Sequence, residues 1–308
     1  MKQNGQYRVW AVLSAFAVVI GLVIAGVYAV RSVRTQGKAA LDVTNRVCVP
    51  ILLYHHISTD ASLLGEFCIT PAEFENDLIY LAENGYTPIH ISQLVEYCYS
   101  GTSLPVRPIV ISYDCGFSSG YTHAFTLLQK YNTKAVFSIV GETVNQASAL
   151  PRNTQAAFLR WSELRKMTES SLVELANQSY DMNQYIKDAR RGTARQKDEA
   201  LDAYAQALYN DVLLLQTEIG DKAGVVPVAF SYPYGIIGKE TVNLISEMGF
   251  AATLSRDEGA NYLSQNPQDL YRLKRSVRGH GEYLGDVLNR IYRTKAVYGS
   301  TDFWSSEE

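Results

Sequence analysis

The segment Ser112-Tyr113-Asp114-Cys115-Gly116 contains the side chains of this chain that are best suited to chemistry. Apolar residues 108–111 lead into it and predict a buried strand, and Gly116 favours a turn directly afterwards. An Asp at such a strand end can act as a general base. A second carboxylate beside it would bind a metal ion, but Cys115 occupies that place. The motif therefore looks like a catalytic signature from which one ligand is missing.

Three other predicted strand ends carry polar or aromatic side chains that could join Asp114. They are Tyr54-His55-His56-Ile57, Asn177-Gln178-Ser179-Tyr180-Asp181-Met182-Asn183 and Phe230-Ser231-Tyr232-Pro233-Tyr234-Gly235. Four such turns at one rim would form a pocket.

The elements that must position these turns follow from the alternation of apolar strands with amphipathic helices. Thr70-Pro71-Ala72-Glu73 is a capping box that begins one helix, and apolar residues at helical spacing predict a longer helix over residues 196–219. Repeated strand–helix alternation implies parallel strands joined by crossovers. About seven strands favour an α/β fold in the form of a distorted (β/α) barrel. Chemistry in such barrels collects at the carboxyl ends of the strands, where all four turns fall.

In order and spacing, these four motifs resemble those of the polysaccharide deacetylases, carbohydrate esterase family four. The resemblance covers residues 49–288, and residues 161–183 are especially similar to bacterial cell-surface members. It implies a deacetylase-like domain over residues 48–293 that acts on N-acetylated glycans. In this family a divalent metal, usually zinc, is held by one Asp and two His and polarises the acetamide carbonyl and a bound water.

The resemblance also implies roles for individual residues. Asp114 matches the general base, and Tyr234 matches the oxyanion donor through its backbone N–H. His280 is the candidate for the late acid histidine of the family. The expected substrate-binding residues at the same rim are His55, Tyr113, Tyr232 and Pro233.

The three metal-ligand positions of the family hold other residue types in this chain. Cys115 stands in place of the Asp, Gln178 in place of the first His, and Asn183 (or Met182, in more distant relatives) in place of the second. Neutral amide oxygens are poor zinc ligands compared with imidazole. We therefore expect no metal cofactor, with zinc or another divalent cation bound only if the protein is active.

Two further features leave alternatives open. His55 and His56 are adjacent on a strand and face opposite ways, so that one of them is either a hydrogen-bonded rim residue or a partner of Asp114 and Cys115 in an altered site. Asp181 is either a turn residue or a substitute carboxylate ligand. The four cysteines show no CxxC or zinc spacing and are either free thiols or include a Cys48–Cys68 disulfide.

The amino-terminal part of the chain predicts a membrane anchor. Residues 9–30 carry no charge and are long enough to span a bilayer, between a short tail (1–8) and a linker (31–47). A cleaved signal peptide ending at Val27-Tyr28-Ala29 is the alternative. Flanking Lys and Arg residues favour a cytoplasmic domain, but the glycan substrates of the family lie outside the cell. We expect a single-pass membrane protein with an extracytoplasmic domain and a mobile tail over residues 294–308.

The formal charge of −3 gives no electrostatic reason to expect nucleic-acid binding. Three functions stay open. The first is a catalytically degenerate deacetylase-like protein, a pseudoenzyme, that binds N-acetylated cell-wall or extracellular polysaccharide. The second is an active glycan de-N-acetylase with an unusual metal site. The third is a structural scaffold in the envelope. The replaced ligands favour the first.

Overall fold

The computed structural model describes residues 46–151, 153–185 and 190–294. Within these ranges no helix is long and apolar enough to cross a membrane. The predicted anchor (residues 9–30) and the tail beyond Thr294 lie outside the described residues.

Strands and helices alternate along the described chain. The strands are β1 (Val47–Val49), β2 (Ile51–Tyr54), β3 (His56–Ile57), β4 (Cys68–Ile69), β5 (Thr87–Pro88), β6 (Pro108–Tyr113), β7 (Ala135–Ile139), β8 (Val173–Asn177), β9 (Ala229–Ser231), β10 (Ala252–Leu254), β11 (Asn261–Leu263) and β12 (Ser276–Val277). The helices are α1 (Pro71–Glu83), α2 (Ile91–Ser100), α3 (Thr126–Lys130), α4 (Gly141–Ala149), α5 (Trp161–Glu169), α6 (Leu201–Ala223), α7 (Thr241–Glu247) and α8 (Leu284–Arg293).

Seven parallel strands of the described chain form the main sheet, in the order β10-β9-β8-β7-β6-β2-β12, and β5 adds to β6. A parallel bridge joins Leu254 in β10 to Leu273, three residues before β12, so that the two ends of the sheet approach each other. This arrangement agrees with the predicted α/β barrel of about seven strands. The carboxyl ends of β2, β6, β8 and β9 all lie on one side, because parallel strands share their direction.

The chain changes strand partners at Pro50. Residues 47–49 pair with β11 in an antiparallel two-stranded sheet, and the central barrel strand begins only at Ile51. Proline has no N–H to donate to a neighbouring strand, so the chain changes partners there. Val47, predicted to belong to the linker, is therefore part of β1.

The local signal for the start of α1 was correct. Thr70 and Glu73 form the predicted capping box at the start of α1, with the Thr70 N–H 2.8 Å from Glu73 Oε2. The long helix α6 begins five residues later than predicted. Glu199 accepts hydrogen bonds from the Gln196 N–H and from Arg190, which holds residues 196–199 in a turn.

The strands lie in a core that is apolar on both faces of the sheet. Leu52 and Tyr54 in β2 point towards the helices α1 and α8, whereas Ile51 packs with α2 on the opposite face. Tyr113 stacks between Tyr54 and Phe137, with ring centroids 5.3 and 4.6 Å apart. This packing fixes the end of β6, from which Asp114 extends.

Candidate functional site

Asp114 lies at the centre of the candidate site. Its backbone N–H donates to the Tyr54 carbonyl at the adjacent strand end. Its side chain is 5% exposed. Burial of a carboxylate in this way requires a partner that compensates the lost hydration.

The partner of Asp114 is Arg275, which immediately precedes β12. Arg275 Nη1 lies 2.6 Å from Asp114 Oδ1 and Nη2 lies 2.8 Å from Oδ2, which gives a bidentate ion pair with the guanidinium fully buried. The remaining donors of Arg275 bind the Ser255 carbonyl at 2.7 Å and the Ser231 hydroxyl at 3.0 Å. Burial by itself would raise the pKa of Asp114, but the charge and hydrogen bonds of Arg275 hold that pKa below its usual value. Asp114 is therefore an ionised carboxylate of low basicity.

Gln178 connects the turn after β8 to the turn after β6. Its side-chain Oε1 accepts the Cys115 N–H at 2.8 Å, and its Nε2 donates to Asp114 Oδ2 at 3.3 Å. Its backbone N–H donates to the Ile139 carbonyl at the end of β7. The side chain is buried and both ends of the amide are used within the protein.

Cys115 adopts a left-handed backbone conformation with a φ of +68°. Non-glycine residues rarely adopt this conformation, and here the hydrogen bond to Gln178 stabilises it. Burial, followed by the neighbouring Asp114 charge, raises the pKa of the Cys115 thiol to about 12. In the absence of a bound cation, Cys115 is therefore a neutral thiol at physiological pH rather than a thiolate nucleophile.

The loop that carries Asn183 is anchored by Asp211 on helix α6. The Asp211 carboxylate accepts the backbone N–H groups of Tyr180, Asp181 and Met182 at 2.8, 2.8 and 3.1 Å. Asn183 follows directly, and its carbonyl accepts the Tyr234 hydroxyl at 3.3 Å. Asp181, one of the alternatives for a carboxylate ligand, lies exposed and accepts a hydrogen bond from the Gln184 amide.

Tyr234 lies in the turn after β9 and is the exposed part of the predicted Pro-Tyr-Gly motif. Its φ of +59° turns the side chain outwards, where it is 44% exposed and meets Tyr185 edge to face at 5.6 Å. The following residue, Gly235, has a φ of +72° and packs against Arg256 so closely that a Cβ would overlap it. The turn thus presents one aromatic face at the rim of the site.

The two histidines after β2 face opposite ways, as their adjacency predicted. His56 contacts the Ser119 hydroxyl at 2.8 Å through Nδ1. His55 contacts Phe67, with ring centroids 4.9 Å apart. Burial lowers the pKa of His55 to about 4. The positive charges of Arg275 and Arg256 also lower this pKa, whereas the negative charge of Asp114 raises it. His55 is therefore neutral at physiological pH. Of the two histidines, it is the one that the charges of Asp114 and Arg275 influence.

The other predicted substrate-binding residues are core residues. Tyr113 is 2% exposed within its aromatic stack, Tyr232 is fully buried against Phe230, and Pro233 is buried in its turn. Their contribution to the site is to support the backbone of the turns. Of the four predicted substrate-binding residues, only His55 has a side chain that interacts with the Asp114–Arg275 ion pair.

His280 lies over the start of helix α1. Its Nδ1 is 2.9 Å from Glu73 Oε2, and its backbone N–H donates to the Gly65 carbonyl. Glu73 also accepts the Gly281 N–H at 2.7 Å. Within the described chain, the hydrogen bonds of His280 thus join it to α1 and to the loop before β4, not to Asp114.

The side chains at the three ligand positions do not fit a zinc ion. The Gln178 amide is engaged at both ends and Asn183 offers a neutral amide, which leaves Cys115 as the one strong zinc donor of the three. No cluster of three or more His, Cys, Asp or Glu side chains suited to a metal occurs among the described residues. We therefore derive no chemical step through a metal at this site.

Comparisons with known proteins show what the chain is similar to. The family model described as polysaccharide deacetylase matches residues 102–253. The poly-beta-1,6-N-acetyl-D-glucosamine N-deacetylase of Escherichia coli (strain K12) is 24% identical over 234 residues, which cover 69% of this chain and 34% of that enzyme. The chain therefore aligns with about a third of the length of this relative. Residues 102–253 thus carry the sequence features of a polysaccharide deacetylase domain.

Solved structures share the fold. A de-N-acetylase from Aggregatibacter actinomycetemcomitans superposes with a TM-score of 0.67 and 19% identity, over 79% of this chain and 99% of that one. The Streptococcus pyogenes deacetylase PplD, solved in complex with acetate, gives a TM-score of 0.66 and 14% identity, over 80% of this chain and 99% of that one.

Sequence reasoning did not identify Arg275 or Asp211 as site residues. Arg275 belongs to none of the four motifs, although an arginine in a buried segment must find an acceptor. That requirement is the signal that could have paired it with Asp114. Asp211 sits at a polar position of an amphipathic helix, and nothing local distinguishes it from a solvated residue.

Proposed function

We propose that this protein is a membrane-anchored, deacetylase-like domain that binds N-acetylated cell-envelope glycan without hydrolysing it. The observation that carries the proposal is the set of contacts around Asp114. A bidentate arginine holds the carboxylate, and the Gln178 amide spans Asp114 and Cys115 where the family places metal ligands.

The electrostatics argue against hydrolysis. A general base works best when its pKa lies near the working pH, and the Arg275 charge keeps the pKa of Asp114 low. A base this weak needs a metal to acidify the attacking water. The donor set offered by Cys115, Gln178 and Asn183 is too poor to hold one.

The case for glycan binding comes from the rim. Tyr234 and Tyr185 present exposed aromatic rings beside the turns that carry Asp114 and Gln178. Rigid aromatic rings supply contact area at low entropic cost. The named activity of the E. coli relative, on poly-N-acetylglucosamine, supports an N-acetylated glycan as the ligand. Residues 9–30 would anchor the domain to the membrane, on the extracytoplasmic side, where such polymers lie.

The proposal is tested by two measurements on the same preparation. We expect oligomers of N-acetylglucosamine to bind the full chain in isothermal titration calorimetry, and Tyr234→Ala to weaken that binding about tenfold. We expect acetate release to stay at the level of a buffer blank with zinc present. Acetate release that Asp114→Asn abolishes would instead establish an active de-N-acetylase.

Absence of glycan binding, with the fold intact by circular dichroism, would refute the proposed binding function. A protease-protection assay on intact cells tests the orientation separately. Digestion of the domain by external protease is the expected result, and protection until the cells are lysed would place the domain in the cytoplasm.

A further inference from the structure

Two arginines near the candidate site have guanidinium groups without an acceptor among the described residues. Arg256 and Arg191 are exposed, and each stacks on an exposed aromatic ring. The Arg256 guanidinium lies 5.1 Å from the centroid of Phe67, and that of Arg191 lies 5.6 Å from the centroid of Tyr185. No hydrogen bond or ion pair joins either guanidinium to a described residue. Within the described part of the chain, their donor edges are thus open to a ligand.

These residues form a continuous arrangement, here called the arginine–aromatic strip and defined as Phe67, Tyr185, Arg191, Tyr234 and Arg256. Tyr185 meets Tyr234 at 5.6 Å, and the residue after Tyr234 packs directly on Arg256. At the far end of the strip, Phe67 contacts His55 at 4.9 Å. The strip therefore borders the side of the site on which His55 faces the Asp114–Arg275 pair.

Two acidic residues that follow Arg256 are paired with arginines outside the strip. Asp257 pairs with Arg272 at 3.7 Å, and Glu258 pairs with Arg290 at 2.5 Å. Asp114, the acid at the centre of the site, is already neutralised by Arg275. The two stacked guanidinium groups thus place positive charge beside aromatic surfaces at the rim, and Glu66, which precedes Phe67, is an exposed acid in the same region.

We propose that the arginine–aromatic strip binds an anionic glycan, in which sugar rings pack on the aromatic faces and a carboxylate or phosphate group accepts from Arg256 and Arg191. A guanidinium stacked on an aromatic ring is oriented with its edge outwards, and its fork of donors matches a carboxylate or phosphate. This inference rests on the proposed glycan-binding function and narrows its ligand to a polymer that carries negative charge along its chain.

The test compares two probes of equal length on the full chain. One is an oligomer of N-acetylglucosamine, and the other alternates N-acetylglucosamine with glucuronic acid. We expect the charged oligomer to bind about tenfold more tightly at low salt, and this advantage to shrink as salt screens the charges. We expect Arg256→Met combined with Arg191→Met to remove most of the advantage, measured as the ratio of the two affinities. Arg293→Met, on the exposed part of α8, is the matched control and should change neither affinity.

The outcomes separate the two proposals. Equal affinities for both probes, insensitive to the double arginine change, would overturn the anionic preference and leave glycan binding standing. Binding of neither probe by the folded protein would overturn both. Arg256→Lys adds a finer readout, because it keeps the charge but loses the planar fork, and an intermediate affinity for the charged oligomer is expected. Full retention of the charged-oligomer advantage in Arg256→Lys would contradict the role given to the fork.

Discussion

Asp114 and Arg275, 161 residues apart in the chain, form a bidentate ion pair at the centre of the candidate site. Both oxygens of the carboxylate are engaged, and the guanidinium has no exposure to solvent. This single relationship accounts for the burial of Asp114, for the direction of its pKa and for its low basicity.

Replacement of Arg275 should destabilise the protein strongly. Arg275→Met leaves the Asp114 charge buried without compensation, and we expect the free energy of unfolding to fall by about 3–5 kcal/mol. Urea denaturation would measure this. Adding Asp114→Asn should restore part of the loss, because the unpaired charge is then gone. Arg290→Met is the control, since Arg290 makes two exposed ion pairs and its loss should cost less than about 1 kcal/mol. Equal losses of unfolding free energy in Arg275→Met and Arg290→Met would contradict the buried ion pair between Asp114 and Arg275.

The contact between Gln178 and Asp114 predicts a pH-dependent effect of a nearly isosteric change. Gln178→Glu places a second carboxyl group 3.3 Å from Asp114 in a buried site. The like charge and the burial should raise the folded-state pKa of the new carboxyl above its unfolded value. The stability of the variant relative to the parent should therefore fall as pH rises above about 4, where the unfolded chain begins to ionise.

A matched control for this change exists in the same loop. Gln184→Glu would introduce a carboxyl group at a similar distance from Asp181, where the pair is exposed. Water and salt screen that repulsion, so urea denaturation across pH should show little change. An equally small effect for Gln178→Glu would mean that Gln178 does not occupy the buried bridge.

Glu73 should contribute stability that is lost in acid. Its burial would raise its pKa, but the hydrogen bonds from Thr70, Gly281 and His280 lower that pKa to about 2. A carboxyl group with a depressed folded-state pKa stabilises the protein fully above its unfolded value near 4.5. That contribution disappears as pH falls towards 2.

Glu73→Gln is therefore expected to cost about 1–2 kcal/mol at neutral pH and progressively less below pH 4.5. Thermal unfolding over a series of pH values would measure the difference. Glu83→Gln, at an exposed position of the same helix, should show no such trend. A constant cost of Glu73→Gln across the whole range would contradict the hydrogen-bond assignment.

Asp211 should fix the loop that carries Asn183. Asp211→Ala removes the acceptor of three backbone N–H groups, and we expect a loss of about 2–3 kcal/mol. Hydrogen exchange of the amides of residues 180–182 should become faster than in the parent. Asn210→Ala, at the exposed neighbouring position, serves as control. Unchanged protection in Asp211→Ala would show that other contacts hold the loop.

The barrel could be predicted from the sequence because the signals for its strands and helices are local and recur along the chain. Strand–helix alternation, the capping box at Thr70 and the apolar spacing in α6 each report on a few neighbouring residues, and the family resemblance placed the four turns at one rim. The break at Pro50 and the pairing of β1 with β11 were missed, because partner choice between distant segments leaves no periodic signal.

The site was predicted only in outline for the same reason. Asp114, Gln178 and Tyr234 could be assigned from motifs, but the motifs carry no information on which side chains end up buried. Tyr113 and Tyr232 match motif positions and are nevertheless core residues. Arg275 and Asp211 act through long-range contacts, which only the folded arrangement brings together.

Zinc content is the most direct test of the central claim that this site cannot hold the metal of its family. The full chain and the variant Cys115→Asp/Gln178→His/Asn183→His would be incubated with zinc, freed of unbound metal and analysed for zinc per chain. We predict substoichiometric zinc in the parent and a clear gain in the triple variant. One zinc per parent chain, lost on Cys115→Ala or Gln178→Ala with the fold retained, would contradict the account.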